Sequence, residues 1–132
     1  YFFTWKIKFC LKKRFYFLAN SNVNPSGQTE QPSMEDIKIS LEKLWKYIKE
    51  NGHVESIAIP LLGTGRMGLT NVREEVIKEI IKSFIKGNKD KKIATELIIC
   101  VRAKDIREFN IDMIKLEKRI SYICDFWEEE LE

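Results

Sequence analysis

The sequence predicts an α/β fold, in which helices pack on both faces of a mixed, largely parallel sheet. Short apolar runs alternate along the chain with longer segments that carry apolar residues at helical spacing. Proline or glycine marks the ends of several of these segments. Strands that alternate with helices in this way are typical of α/β domains, and a length of 132 residues suits one domain.

The N-terminal region predicts a hairpin. Residues 3–9 alternate between apolar and polar side chains, as in a half-buried strand. Residues 15–19, which are rich in aromatic side chains, predict a second strand. The chain starts abruptly and without methionine, so we expect an N-terminal truncation, with further residues of the fold, and room for a membrane segment, upstream of Tyr1.

Three helices follow from apolar stripes and terminal signals. A capping-box pattern from Ser33 to Asp36 begins the first helix, and Asn51-Gly52 ends it. Trp45 lies on its stripe and is predicted to pack in the core. The second helix begins near Asn71 and closes at residues 87–88. The last helix has a stripe formed by Met113, Leu116, Ile120, Ile123, Cys124, Trp127 and Leu131.

Two almost wholly apolar runs predict the central strands. Residues 57–62 suggest a strand covered on both faces, and Pro60 should mark its end. Residues 97–101 predict another buried strand, in which Cys100 acts as a small buried hydrophobe. Ligands of such folds bind beyond the carboxyl ends of the strands. The loops at residues 20–32, 62–70 and 102–110 should therefore meet there.

A glycine-rich loop follows the first of these strands, with the sequence Gly63-Thr64-Gly65-Arg66-Met67-Gly68. Glycines cost backbone entropy, which a glycine-only conformation or the close approach of a ligand can offset. Consecutive backbone N–H groups and the following helix N-terminus would suit a diphosphate, with Arg66 adding a charge-assisted contact. The alternative is a tight turn that needs glycine for geometry alone. The predicted ligand-binding residues are Leu62, Gly63, Thr64, Gly65, Arg66, Met67 and Gly68, with Asn20, Ser21, Arg102 and Asp105 as secondary candidates.

Other phosphate loops fit this pattern less well. A Walker loop requires Gly-Lys followed by Ser or Thr, whereas this loop has Gly65-Arg66-Met67. The downstream Val-Ala-Ile-Lys of kinases is missing from the sequence. The dinucleotide fingerprint needs an acidic residue about 20 positions further on, at the end of the next strand. Here that strand ends near Val101, much further along the chain.

Residues 57–69, IAIPLLGTGRMGL, resemble the second phosphate loop of macro domains, where a strand ends in proline before a Gly-Thr-Gly turn and a helix. Three other segments are similar to macro domains of Thoeris-type antiphage effectors. They are the aromatic-rich residues 15–19, the helix with Leu44-Trp45, and the strand 97–101 followed by Lys104-Asp105. The resemblance covers about residues 15–124, whereas residues 1–13 match no part of the first ligand loop of the family.

This resemblance implies a single domain, a three-layer α/β/α sandwich, that binds ADP-ribose or a derivative. The matching phosphate contacts would come from Gly63, Thr64, Gly65, Arg66 and Gly68. In the Thoeris branch the domain senses a nucleotide signal that a TIR-domain protein makes. The alternative is an ADP-ribosyl hydrolase. Catalytic macro domains use the first ligand loop, so its lack of a counterpart favours a binding module, and we assign no catalytic residue.

Three further candidates have ordinary interpretations beside functional ones. His53 follows a turn and is expected to be solvated. Asp105 and Glu108 near Arg102 could act as an acid/base pair, but an ion pair or loop contact is favoured. Phe109 could stack on adenine or pack in the core.

Composition excludes several classes of protein. A net charge of +3 is too weak to argue for nucleic acid, although it suits an anionic ligand. No apolar run is long enough to span a membrane. Three distant cysteines without a CxxC pair argue against zinc and disulfides, and favour the cytoplasm. We therefore expect a nucleotide ligand without metal or further cofactor, and an exposed strand edge would allow a homo-oligomer.

Overall fold

The computed structural model describes residues 16–19, 21–52, 54–63 and 72–126. The elements in chain order are helix α1 (Met34–Glu50), strand β1 (Val54–Pro60), helix α2 (Arg73–Asn88), strand β2 (Ala94–Cys100), helix α3 (Ala103–Glu108) and helix α4 (Met113–Asp125). The predicted α/β alternation is confirmed over this part of the chain. The predictions for residues 1–15, Asn20, His53, 64–71 and 127–132 lie outside the described residues.

The two strands form a parallel pair. Ile57 lies opposite Leu97, and Ile59 lies opposite Ile99. Paired residues of adjacent strands point to the same face, so these four side chains form one apolar surface. Ile57 and Ile59 are buried in one core cluster with residues of α1 and α2, while Ile99 also packs against a second cluster formed by α2 and α4. Strand β1 ends at Pro60, as predicted, because proline has no N–H to donate to the ladder.

The opposite face of this pair corrects two predictions. Ala58 is exposed, Ile98 is 44% exposed and Cys100 is an exposed free thiol. The described helices α1, α2 and α4 pack through the clusters that contain Ile59 and Ile99, on the other face. The expectation that β1 is covered on both faces is therefore wrong for Ala58, and Cys100 is not a buried hydrophobe.

Helix α1 begins and ends as the sequence predicts. The Asp36 N–H donates to Ser33 Oγ at 3.1 Å, and the Ser33 N–H donates to Asp36 Oδ2 at 2.7 Å, which completes the capping box. Gly52 follows the helix with φ of +91°, a left-handed conformation that favours glycine. The buried apolar stripe consists of Ile37, Leu41, Trp45 and Ile48.

Trp45 joins α1 to α2. Its side chain is only 2% exposed, and the indole N–H donates to Ser83 Oγ at 2.9 Å. The Ser83 hydroxyl in turn donates to the Ile80 carbonyl at 3.1 Å. The Phe84 ring meets the indole edge-on, with centroids 5.4 Å apart. These contacts confirm that Trp45 is a core residue.

The predicted strand at residues 15–19 is not present in its described part, residues 16–19. Tyr16 meets Tyr47 of α1 edge-on at 6.1 Å between ring centroids, and Ser40 Oγ of α1 donates to the Ala19 carbonyl at 3.0 Å. The segment thus lies against α1 instead of joining the sheet. Of the aromatic residues that suggested a strand, Tyr16 serves here as a packing group, whereas Phe17 is 98% exposed.

Two further boundaries differ from prediction. Residues 102–110 were expected to be a loop, but they contain α3, whose first turn is held by N–H groups of Asp105 and Ile106 on the Arg102 carbonyl. A six-residue helix has too few turns to show an apolar period. The α4 stripe is buried at Leu116 and Ile123, whereas Cys124, predicted to lie on it, is exposed.

Candidate functional site

The carboxyl ends of β1 and β2 lie at one edge of the parallel pair, which is where ligands of such folds bind. Leu62 and Gly63 follow β1, and Arg102 follows β2. Helix α2 begins at Arg73, so its N-terminus lies toward the carboxyl end of β1, the strand that precedes it. Gly63 and Arg73 therefore bracket the predicted phosphate loop along the chain, and Arg102 follows the neighbouring strand.

Gly63 closes the near end of the loop. Its φ is +65°, and a methyl group at this position would lie 2.8 Å from Ile37 Cδ1 and 3.2 Å from Pro32 Cγ. Glycine is therefore required both by backbone conformation and by close packing against α1 and the loop before it. Leu62 is half-buried against the α1 core cluster. This first glycine fits the interpretation of a geometrically required turn, and it also joins the loops at residues 62–70 and 20–32.

The remaining predicted loop residues are outside the described part of the chain, and so is Asn20. Their ligand contacts remain predictions for Thr64, Gly65, Arg66, Met67 and Gly68. Ser21 is half-buried at the start of the loop at residues 20–32. That loop is ordered by an antiparallel bridge between Val23 and Thr29 and by the Asn24 side chain, which accepts the Ser26 and Gln28 N–H groups.

Arg73 anchors the far end of the loop. It is 6% exposed although charged, and its Nε–H donates to Asp105 Oδ1 at 3.1 Å. Its guanidinium carbon lies 3.3 Å from the centroid of the Phe109 ring, a cation–π contact. Sequence reasoning missed this role. Its position in the sequence could have predicted its burial, because Arg73 is in helical phase with Val76, Ile77 and Ile80 of the buried stripe.

Asp105 receives a second arginine. Arg102 Nε donates to Asp105 Oδ2 at 2.7 Å and Arg102 Nη2 donates to Oδ1 at 2.9 Å, a bidentate pair. These hydrogen bonds from Arg102 hold the pKa of Asp105 below its ordinary value. Arg73 acts in the same direction, while burial opposes both. The same contact raises the pKa of Arg102. Asp105 is thus an anion whose oxygens are already occupied.

The predicted acid/base pair of Asp105 and Glu108 is not formed. Glu108 faces Lys104 at 3.7 Å on the surface, with both side chains more than half exposed. A carboxylate with a lowered pKa and two arginine donors is a weak proton acceptor. The favoured interpretation of an ion pair is confirmed, with the difference that Asp105 is buried.

The cluster carries an excess of positive charge. Two guanidinium groups face one carboxylate, and the Arg102 side chain is 68% exposed while that of Asp105 is 3% exposed. Arg102 therefore presents a charged, planar donor group to solvent at the carboxyl edge of the sheet, which suits phosphate. Phe109 is half-buried with Arg73 over one ring face, so packing is favoured over adenine stacking.

A groove of about 340 Å³ lies between α2 and α4, and the sequence did not indicate it. Basic side chains of Lys78, Lys115 and Arg119 line it together with Leu116 and Ile123.

Among the described residues, no group of three or more His, Cys, Asp or Glu side chains could hold a metal ion. No helix in the same part of the chain is long and apolar enough to cross a membrane.

Comparison with known families gives one finding. The family model described as Thoeris protein ThsA, Macro domain, matches residues 5–102. This span contains β1, the glycine loop, α2, β2 and Arg102. Neither the curated proteins nor the solved structures gave a match to the chain.

Proposed function

We propose, because this chain belongs to the macro domain family of the Thoeris protein ThsA, that it binds ADP-ribose or an ADP-ribose-derived nucleotide as a sensor in antiphage defence. In this proposal a TIR-domain protein makes the signal. The fold is proposed to be a three-layer α/β/α sandwich.

The arrangement of strand, glycine and helix carries the proposal. Strand β1 ends at Pro60, Gly63 turns the chain with φ of +65°, and α2 begins ten residues later at Arg73. A loop of this kind can direct backbone N–H groups toward an anion, and the α2 N-terminus adds its positive dipole end. The diphosphate of ADP-ribose is the proposed guest, held by Gly63, Thr64, Gly65, Arg66 and Gly68.

Arg102 supports a charged ligand from the second strand. Its guanidinium is exposed at the same edge and oriented by Asp105 through two hydrogen bonds. An oriented guanidinium loses less freedom on binding phosphate than a mobile one. We assign Arg102 to the ligand and Asp105 to its support, and this refines the expectation that both touch the nucleotide.

Calorimetric titration of ADP-ribose into the folded chain tests the proposal. Gly65→Val would remove several charge-assisted hydrogen bonds of about 1.5–3 kcal/mol each and should weaken binding by orders of magnitude. Arg66→Ala should cost less, because we expect that contact to be exposed to solvent. Ile57→Ala is the control. It opens a core cavity worth about 2–5 kcal/mol of stability and should leave the affinity of the folded fraction intact.

Two results would decide against this function. The parent chain could fail to bind ADP-ribose and its derivatives, or folded Gly65→Val could bind as tightly as the parent, in which case the loop is only a turn. Sustained release of free ADP-ribose from a modified protein substrate would favour the hydrolase instead. That activity would have to be abolished by a substitution in one of the three loops to be assigned to this site.

A further inference from the structure

A charged cluster ties the segment after the glycine loop to the segment after β2. Arg73 is the first residue of α2, and its Nε reaches Asp105 Oδ1 in α3 at 3.1 Å. Phe109, which directly follows α3, supports the other side of the guanidinium at 3.3 Å. Two contacts of different chemical kinds, an ion pair and a cation–π contact, thus meet at one buried arginine in the first turn of a helix.

We propose that Arg73, Asp105 and Phe109 form a clamp that fixes the far end of the glycine loop. Arg73 is then a positioning residue for the diphosphate. Arg102, which Asp105 of the clamp orients, is the arginine that contacts the ligand. This proposal rests on the proposed nucleotide function for its ligand. The part that concerns the loop itself depends only on the contacts of Arg73.

Burial of the Arg73 guanidinium costs desolvation free energy, which its contacts offset only in part. A hydrophobic residue at this position would continue the stripe of Val76, Ile77 and Ile80 without desolvating a charge. What the guanidinium adds is a hydrogen bond from Nε to Asp105 and a face contact with the Phe109 ring, which together link the α2 N-terminus to α3 and the residue that follows it. The clamp is therefore suited to specifying geometry at the loop.

Both ends of the loop are then constrained. At the near end Gly63 packs within reach of Ile37 and Pro32, and at the far end Arg73 is held by Asp105 and Phe109. A loop fixed at both ends has fewer conformations to lose, so ligand binding costs less conformational entropy. The affinity for the diphosphate should accordingly depend on Arg73, although we assign it no ligand contact.

Exposure to solvent separates the two arginines. Both contact Asp105, but the Arg102 side chain is 68% exposed and that of Arg73 is 6% exposed. Loss of Arg102 should remove a ligand contact and leave the loop unchanged. Loss of Arg73 should loosen the loop and weaken binding through it.

Hydrogen exchange over residues 62–72, measured together with calorimetric titration of ADP-ribose, tests this division. Arg73→Met keeps an apolar side chain on the buried stripe and should fold. We expect faster exchange in that segment with unchanged exchange in β1 and β2, and affinity lower by about tenfold or more. Arg73→Lys should fail to restore either property, because an ammonium group lacks the planar face that lies over the Phe109 ring while Nε bonds to Asp105. Arg102→Gln should lower affinity without changing exchange.

Glu108→Gln is the matched control, since it changes an exposed carboxylate on the same short helix. It should alter neither exchange nor affinity. The clamp is overturned if folded Arg73→Met shows parental exchange over residues 62–72, or if Arg102→Gln loosens that segment as much as Arg73→Met does. Failure of the parent chain to bind ADP-ribose, with accelerated exchange in Arg73→Met, would remove the nucleotide function and leave the clamp standing.

Discussion

Arg73 Nε and Asp105 Oδ1 lie 3.1 Å apart, and both side chains are almost completely buried. The contact joins the first residue of α2 to the middle of α3, across the edge where both strands end. A buried ion pair adds little stability relative to an apolar pair, but removing one partner leaves an uncompensated charge. This edge of the molecule should therefore be sensitive both to substitution and to acid.

Asp105→Asn should lower the free energy of unfolding by about 3–5 kcal/mol at neutral pH. In the parent, Arg102 and Arg73 hold the pKa of Asp105 below its ordinary value. A lowered pKa stabilises the fold above the unfolded-state value of about 3.9, and this contribution is lost as pH falls through the folded-state pKa. The parent should thus lose more stability below about pH 4 than Asp105→Asn does. Denaturant unfolding at a series of pH values measures the difference.

Asp36→Asn provides the control for that experiment. Its pKa is also lowered, by hydrogen bonds from the Ser33 backbone and hydroxyl, but it belongs to an exposed helix cap. Removal of the Asp36 carboxylate should change the pH dependence of the free energy of unfolding less than removal of the Asp105 carboxylate does. If Asp105→Asn keeps the full acid sensitivity of the parent, the arginine cluster is not its source.

Gly63→Ala should be more destabilising than Gly27→Ala. Both glycines have positive φ, which costs a residue with Cβ about 1–2 kcal/mol. Around Gly27 nothing lies within 4 Å of an added Cβ, whereas at Gly63 the Ile37 Cδ1 atom would be 2.8 Å away. Overpacking adds about 1–3 kcal/mol at Gly63 alone. Thermal unfolding of the two variants isolates the packing contribution, and equal losses would mean that Ile37 moves aside without cost.

Trp45 and Ser83 should show coupling in a double-mutant cycle. Ser83→Ala leaves the buried indole N–H without its acceptor, which costs about 1–3 kcal/mol. In the Trp45→Phe background no donor remains, so the same substitution should cost much less. Unfolding free energies of the two single variants and the double variant give the coupling, and strict additivity would show that the 2.9 Å contact contributes nothing.

The sequence predicted those features of the fold that depend on local chemistry. The capping box of Ser33, the stop at Gly52, and the end of β1 at Pro60 all follow from neighbouring residues, and the structure confirms them. What it could not predict depends on which elements meet. Ile98 and Ile99 have similarly apolar neighbours in the sequence, yet Ile98 is exposed and Ile99 is half-buried. The two side chains point to opposite faces of the strand pair, and the described helices pack on one face only.

The candidate site shows the same division. Gly63 was predicted from its local pattern, and its positive φ agrees. Arg73 was overlooked because its partners are distant in sequence: Asp105 is 32 residues away and the two meet only through tertiary packing. The helix that carries Asp105 was predicted as loop, since six residues offer no periodic signal. The local pattern predicted a turn at Gly63, and only the fold shows that Asp105 and Phe109 hold Arg73.

The exposed face of β2 provides the last prediction. Residues 97–101 are apolar throughout, so the sequence alone predicts that substitution anywhere in the run is costly. In the structure Ile98 is 44% exposed, whereas Ile59, on the opposite face of the pair, is 4% exposed. Ile98→Thr keeps a β-branched side chain in the strand and should change stability by no more than about 0.5 kcal/mol. Ile59→Thr removes buried apolar atoms and buries a hydroxyl, and should cost about 2 kcal/mol or more.

Denaturant unfolding of both variants, repeated at two protein concentrations, measures this difference and tests what covers the face. If Ile98→Thr is mild at every concentration, the face is solvated in the isolated domain. If it costs as much as Ile59→Thr and the loss is the same at both concentrations, another part of this chain covers Ile98, as a three-layer sandwich requires. A loss that grows with protein concentration would instead identify a second copy as the cover, because only association makes apparent stability depend on concentration.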